Sequence, residues 1–185
     1  MSRAAGILMP ITSLPGKYGI GCFSKEAYAF IDWLKEAGQT YWQILPIHPT
    51  SYGDSPYQSF STFAGNPYFI DLEELIEEGM LTREECDSMD FGDDEDDIDY
   101  EDQYQNRYIL LTMAYERSNI SQNPDYQRFV EENRWWLDDY ALFMALKTFF
   151  NGQCWNEWPQ DIRLRWGYSM DYYRRELYFD IEFQM

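Results

Sequence analysis

The chain opens with a short apolar run, Gly6-Ile7-Leu8-Met9-Pro10-Ile11, which reads as a buried strand. Its continuous apolar character suits a parallel sheet covered on both faces, and Pro10 puts its end near the sheet exit. Thr12 to Gly21 holds Pro15, Gly16, Gly19 and Gly21, so it is a loop. Ser24 then stands as a helix cap. Ala27, Phe30, Ile31, Leu34 and Ala37 follow at helical spacing on one face, and Gly38 ends the helix. Tyr41 to Ile47 reads as a second strand. Strand, helix and strand with a short link make a βαβ unit, which is parallel and right-handed almost by rule.

Beyond the second strand the alternation stops. His48 to Pro67 is a long segment rich in Ser, Tyr, Gly and Pro. Loops beyond about 12–15 residues are usually functional or disordered, and Tyr52, Tyr57, Phe60, Phe63 and Tyr68 argue against disorder here. Asp71 with Glu74, and Thr82 with Glu85, have capping-box spacing and predict two short helices separated by Gly79. Three further helical stretches are expected over about 103–118, 125–150 and 160–184, the last two parted by Asn151-Gly152. The chain thus begins as α/β and finishes almost wholly helical, as expected of a barrel strand followed by a helical insertion.

Composition and charge narrow the function. The 185 residues are 45% hydrophobic and 19% aromatic, enough for a packed domain and too apolar for a disordered one. They fall short of the roughly 250 that a complete eight-stranded α/β barrel needs. A formal charge of −19 repels nucleic acid and anionic membrane, both of which need Lys and Arg to displace counterions, so neither is expected as a partner. A neutral sugar meets no such penalty. Cys22, Cys86 and Cys154 are far apart and form no CxxC pair, which predicts reduced, packed thiols in a cytoplasmic protein. The opening apolar run is too short for a signal peptide or membrane span. Asp93 to Asp102, with eight acidic residues in ten, reads as a solvated loop. No phosphate loop, dinucleotide fingerprint or metal-ligand cluster is present, so no cofactor is expected.

Ser51 to Pro67 holds the most informative chemistry. Aromatic faces stand beside small hydroxyls, one carboxylate and two amides, the mixture that sugars want. Their C–H faces pack on rings, and their hydroxyls pair with amides and carboxylates. Gly53, Pro56, Gly65 and Pro67 fix the turns that present these groups. His48, the one histidine, reads as a partly exposed polar side chain at a strand end, and the Trp135-Trp136 pair as helix core.

The segment Ser51-Tyr52-Gly53-Asp54-Ser55-Pro56-Tyr57-Gln58-Ser59-Phe60-Ser61-Thr62-Phe63-Ala64-Gly65-Asn66-Pro67 resembles the amylomaltases, the disproportionating 4-α-glucanotransferases of glycoside hydrolase family 77. It departs from the family's form only at Ser51 and Thr62. The resemblance continues through Tyr41-Trp42-Gln43-Ile44-Leu45-Pro46, Thr12-Ser13-Leu14-Pro15-Gly16, Tyr18-Gly19-Ile20-Gly21, the stretch Trp135 to Lys147, and Trp155-Asn156-Glu157-Trp158-Pro159. It implies the N-terminal part of a (β/α)₈ barrel. Residues 1–70 would supply the first β-α-β and the substrate loop, and residues 71–185 a helical insertion with the acidic loop. By the same resemblance Tyr57 and Ser55 line the sugar cleft beside the scissile bond. Tyr52 belongs to a second glucan groove, with Tyr104 as its partner, matched through Ile98-Asp99-Tyr100. Gln58 lies in the same motif, while Asp54 and Asn66 are expected to hold the loop's shape. The implied ligands are α-1,4-glucans. The nucleophile and acid/base of retaining chemistry match nothing here and are expected downstream of Met185; Asp54 has no positioned partner carboxylate nearby in sequence. A non-catalytic glucan-binding module remains the alternative.

Overall fold

A computed structural model describes residues 3–51, 53–92, 94 and 97–185. The chain divides into two compact units, Met1–Ser118 and Asn119–Met185.

In the first unit β1 (Gly6–Leu8) pairs in parallel with β2 (Tyr41–Gln43), with Ile7 opposite Trp42. Between them runs α1 (Lys25–Glu36). It is capped by Ser24, whose side chain accepts from the Glu26 amide at 3.3 Å, and followed by Gly38 at φ +70°. This is the expected βαβ unit, with its helix within a residue of the predicted limits. The expectation that β1 is buried fails: every residue of it is exposed, Leu8 to 59%. With only two strands among the described residues, no further sheet covers β1, and the local core gathers around Trp42 of β2 and the residues that follow β1. There Ile11, Leu14 and Ala27 pack with Met9, Phe30, Trp42 and Phe69. Trp42 edges onto Phe30 at 4.9 Å and donates its indole N–H to the Met9 carbonyl at 2.8 Å.

Two short helices follow, α2 (Leu72–Glu77) and α3 (Arg83–Asp87). Thr82 and Glu85 make a full capping box. Asp71 caps α2 through the Glu73 amide at 3.0 Å, so the box expected with Glu74 is not formed. Next comes a single helical run of α4 (Tyr100–Asp102), a π-helical turn (Gln103–Arg107) and α5 (Tyr108–Arg117). Asp99 caps its start. Of the acidic run, Asp93, Glu95 and Asp96 lie outside the described residues.

The second unit is built on α6 (Pro124–Phe149), capped by Asn123 with Pro124 in its first turn. The stretch predicted as one helix over about 160–184 is three: α7 (Gln160–Arg163), α8 (Gly167–Glu176) and α9 (Tyr178–Gln184). Arg165 at φ +55° breaks the first junction, and Leu177 leaves helical angles at the second. These turns let Leu142, Ala145, Leu146, Trp158, Ile162, Met170 and Leu177 share one core. Trp135 does not join that core; it is 69% exposed, and Leu137 and Ala141 hold the inward positions of α6. Cys22 and Cys86 are buried, as expected, whereas Cys154 is exposed, and all three are free thiols. Among the described residues no helix is long and apolar enough to cross a membrane.

Candidate glucan-binding site

Because β1 and β2 are parallel, the chain leaves both strands at the same end of the sheet. Two loops therefore start there, one leading to α1 and one from Ile44 to Asn66. The second is pinched shut at its base, where the Asn66 amide donates to the Ile47 carbonyl at 3.0 Å and His48 Nδ1 lies 3.3 Å from the Ala64 carbonyl. Asn66 is buried, and its side-chain oxygen accepts from the Tyr68 amide at 3.0 Å. A short amide at a loop base thus fixes where the aromatic residues after it go.

Within the loop, small hydroxyls replace a ladder. Ser61 Oγ accepts from the amides of Phe63 and Ala64 at 3.2 and 3.1 Å, and Ser59 Oγ donates to the Ser61 carbonyl at 2.6 Å. Ser55 Oγ accepts from the Tyr57 amide at 3.3 Å, and the Ser55 carbonyl accepts from the Gln58 amide at 3.0 Å. This leaves the Tyr57 ring 73% exposed, with Gln58 exposed beside it. Gly53 and Asp54 both take left-handed backbone angles, at φ +90° and +55°. Such an angle is strained for a non-glycine residue, and Asp is among the side chains that tolerate it best. Tyr52 lies outside the described residues.

Asp54 is brought against aromatic residues far along the chain. Burial pushes the Tyr68 hydroxyl up to about 12, with Asp54, Tyr104 and Tyr100 adding to the shift. Burial and then Asp54 raise Tyr100 as well. The Tyr68 and Tyr100 rings lie 6.2 Å apart, and Tyr104, 61% exposed, meets Tyr108 at 5.2 Å. Asp54, Asn66 and Tyr104 of the predicted set therefore lie around Tyr68, while Tyr57 and Gln58 are exposed and half-buried Ser55 turns its hydroxyl to the Tyr57 amide. Tyr68 and Tyr100, one just after the loop and one beside the acidic run, were not among the predicted site residues.

Two carboxylates of this unit meet at one hydroxyl. Glu73 and Asp87 both lie within reach of the Tyr18 hydroxyl, at 3.2 and 3.3 Å. They are not an acid/base pair. Two hydrogen bonds from Arg83, at 2.7 and 2.6 Å, hold the Glu73 carboxyl down to about 2, and Lys17 at 2.6 Å lowers Asp87. Neither carboxyl carries a proton to give at neutral pH, and each is committed to a cation. The arrangement is a brace between the first loop and the helices α2 and α3.

The loop closed by Asn66 thus carries an exposed ring and a cluster of tyrosines around one carboxylate, at the end of a pair of parallel strands. Comparison with known proteins places the chain in a family. The family model described as 4-alpha-glucanotransferase matches residues 9–185, and the chain belongs to this family. It is 49% identical over 175 residues to the 4-alpha-glucanotransferase of Clostridium butyricum, covering 95% of this chain and 36% of that protein. The Thermus thermophilus enzyme is 47% identical over 169 residues, with 89% and 33% covered. Among solved structures, the amylomaltase from Streptococcus agalactiae in complex with acarbose matches with a TM-score of 0.89 and 40% identity, over 99% of this chain and 37% of that one. The chain spans about a third of the length of these relatives.

Proposed function

We propose that this chain forms the glucan-binding edge of a 4-α-glucanotransferase. The whole enzyme breaks an α-1,4 bond, holds the glucosyl chain covalently and passes it to the 4-hydroxyl of an acceptor sugar. The observation that carries this reading is the 49% identity with the clostridial 4-alpha-glucanotransferase across 95% of the chain. The geometry is in keeping with it. Exposed Tyr57 offers a stacking face beside Ser55 and Gln58, and Tyr104 offers a second face; the family resemblance adds Tyr52, which lies outside the described residues, to that second groove. Asp54 and Asn66 maintain the loop. Aromatic walls that retain the acceptor and exclude water favour transfer over hydrolysis.

In this proposal β1, α1 and β2 are the first units of a (β/α)₈ barrel, and the segment after residue 70 is a helical insertion at its mouth. Barrel enzymes bind substrate at the C-terminal strand ends, where the Ile44–Asn66 loop emerges. The nucleophile and acid/base lie outside these 185 residues, in parts of the family that this third does not match. The ligands are neutral α-1,4-glucans, consistent with a chain of charge −19. The free thiols fit a reducing, cytoplasmic setting.

Incubating the chain with maltotriose and following glucose and longer maltodextrins tests the assignment of the chemistry. No disproportionation is expected from the chain alone. Robust turnover would show that the catalytic carboxylates have been misplaced.

A further inference from the structure

Arg107 is the largest fully buried side chain of the described residues, at 1% exposure. Its Nε and Nη1 have no hydrogen-bond partner in the protein. A guanidinium cannot escape by losing its proton, so its donors must be met by something. The side chain lies on the wall of a cavity that it shares with Gly16, Tyr18, Cys22, Glu26 and Asp71. About 20 Å³ of this cavity is open to the centre of a water-sized sphere. One water needs about 10–15 Å³ by that measure, together with two to four polar partners. A sugar, a phosphate or a sulfate does not fit.

We propose that this cavity binds one resident water, which accepts from the Arg107 guanidinium and donates toward the Asp71 carboxylate, which also lines it. Charge and chemistry favour water over the one other species of suitable size, a halide ion. Two carboxylates, Glu26 and Asp71, share the wall, and Asp71 is among the groups whose charge acts on Arg107. Lys17, also on the wall, is already held by Asp87 at 2.6 Å. The Cys22 thiol is pushed up to about 11 by burial, so it is a neutral neighbour and not a thiolate counter-ion. Asp71 has one oxygen engaged by the Glu73 amide, which leaves the other to accept.

The site joins three segments that are distant in sequence. Gly16 to Cys22 is the loop leaving β1, Asp71 caps α2, and Arg107 ends the π-helical turn. The turn is part of the device. Gln103 and Arg107 are both buried within it, while Tyr104 between them stands 61% exposed.

Two measurements on the chain test this. A crystal structure at a resolution that shows ordered water is expected to place one water within hydrogen-bond distance of Arg107 Nε or Nη1, and a bromide soak is expected to leave the cavity without anomalous signal. Water-oxygen magnetic relaxation dispersion then counts long-lived internal waters: Arg107→Met is expected to lose one, and Arg107→Lys to keep it. A bromide peak in the cavity, a guanidinium paired directly with the Asp71 carboxylate and no water, or an unchanged water count in a folded Arg107→Met chain would overturn the proposal. If Arg107→Met does not fold, the crystal structure of the unaltered chain still decides.

Discussion

Gln103 donates its side-chain N–H to the carbonyl of Tyr18 at 2.7 Å, joining the helix that follows the acidic run to the loop that leaves the first strand. Room for this bond depends on Gly19. A Cβ there would stand 2.7 Å from Gln103 Nε2 and 2.4 Å from the Phe91 carbonyl, on a backbone held at φ +72°. Losing the donor leaves a buried carbonyl unmet, a cost of about 1–3 kcal/mol. Adding a methyl at Gly19 combines a backbone clash with left-handed strain. Urea unfolding is expected to show Gln103→Leu destabilised within that range and Gly19→Ala by more. A neutral Gly19→Ala would show that the loop is free to shift away.

The brace around Tyr18 carries a pH dependence of definite sign. Folding lowers the Glu73 carboxyl from 4.5 to about 2, chiefly through its hydrogen bonds from Arg83. The folded chain therefore keeps this charge where the unfolded chain takes up a proton. The stabilisation is fully present above the ordinary carboxylate range and is lost as pH falls from about 4.5 toward 2. Glu73→Gln is expected to make the fall in unfolding free energy across that window shallower, and to leave the slope near neutral pH unchanged.

The second unit rests on Trp158. It is buried, tilts against Phe143 and Phe150 at 5.5 Å each, and donates its indole N–H to the Gln153 carbonyl at 3.0 Å. Truncating a buried Trp to Ala costs about 3–5 kcal/mol. Trp158→Ala is expected to fall in that range by chemical denaturation, whereas Trp135→Ala, at a 69% exposed position, is expected to stay under about 1 kcal/mol.

These elements show where sequence patterns carry structure and where they do not. The limits of α1 were legible because a serine cap and a closing glycine act locally, within one turn. The Ser51–Pro67 loop was legible because its turns are made by Gly, Pro and Ser in short-range contacts. The exposure of β1 was not, since burial of a strand depends on the layers above it and an apolar run carries no information on whether those layers are there. The π-helical turn was hidden for a different reason. One added residue per turn leaves composition unaltered, so a helix over about 103–118 is legible while the π-helical turn inside it is not. The breaks at Arg165 and Leu177 were hidden because neither residue signals a turn.

The outward rings of the candidate site can be tested without disturbing the fold. Tyr57 and Tyr104 are 73% and 61% exposed, so their replacement by alanine should change stability little. If they are stacking faces for glucan, each variant is expected to migrate faster than the parent through amylose-containing gels. A loss of about 1 kcal/mol corresponds to roughly fivefold weaker retardation. Tyr52→Ala is expected to behave in the same way. Equal mobility of all four proteins would remove these rings from the site.

The most direct test of the account replaces the corresponding third of the Clostridium butyricum 4-alpha-glucanotransferase with this chain and supplies the product with maltotriose. Glucose and longer maltodextrins are expected. Tyr57→Ala in the exchanged segment is expected to lower the rate by about tenfold, equivalent to about 1.4 kcal/mol of transition-state binding. A chimera that is soluble and unfolds cooperatively, yet leaves maltotriose unchanged, would contradict the proposed function.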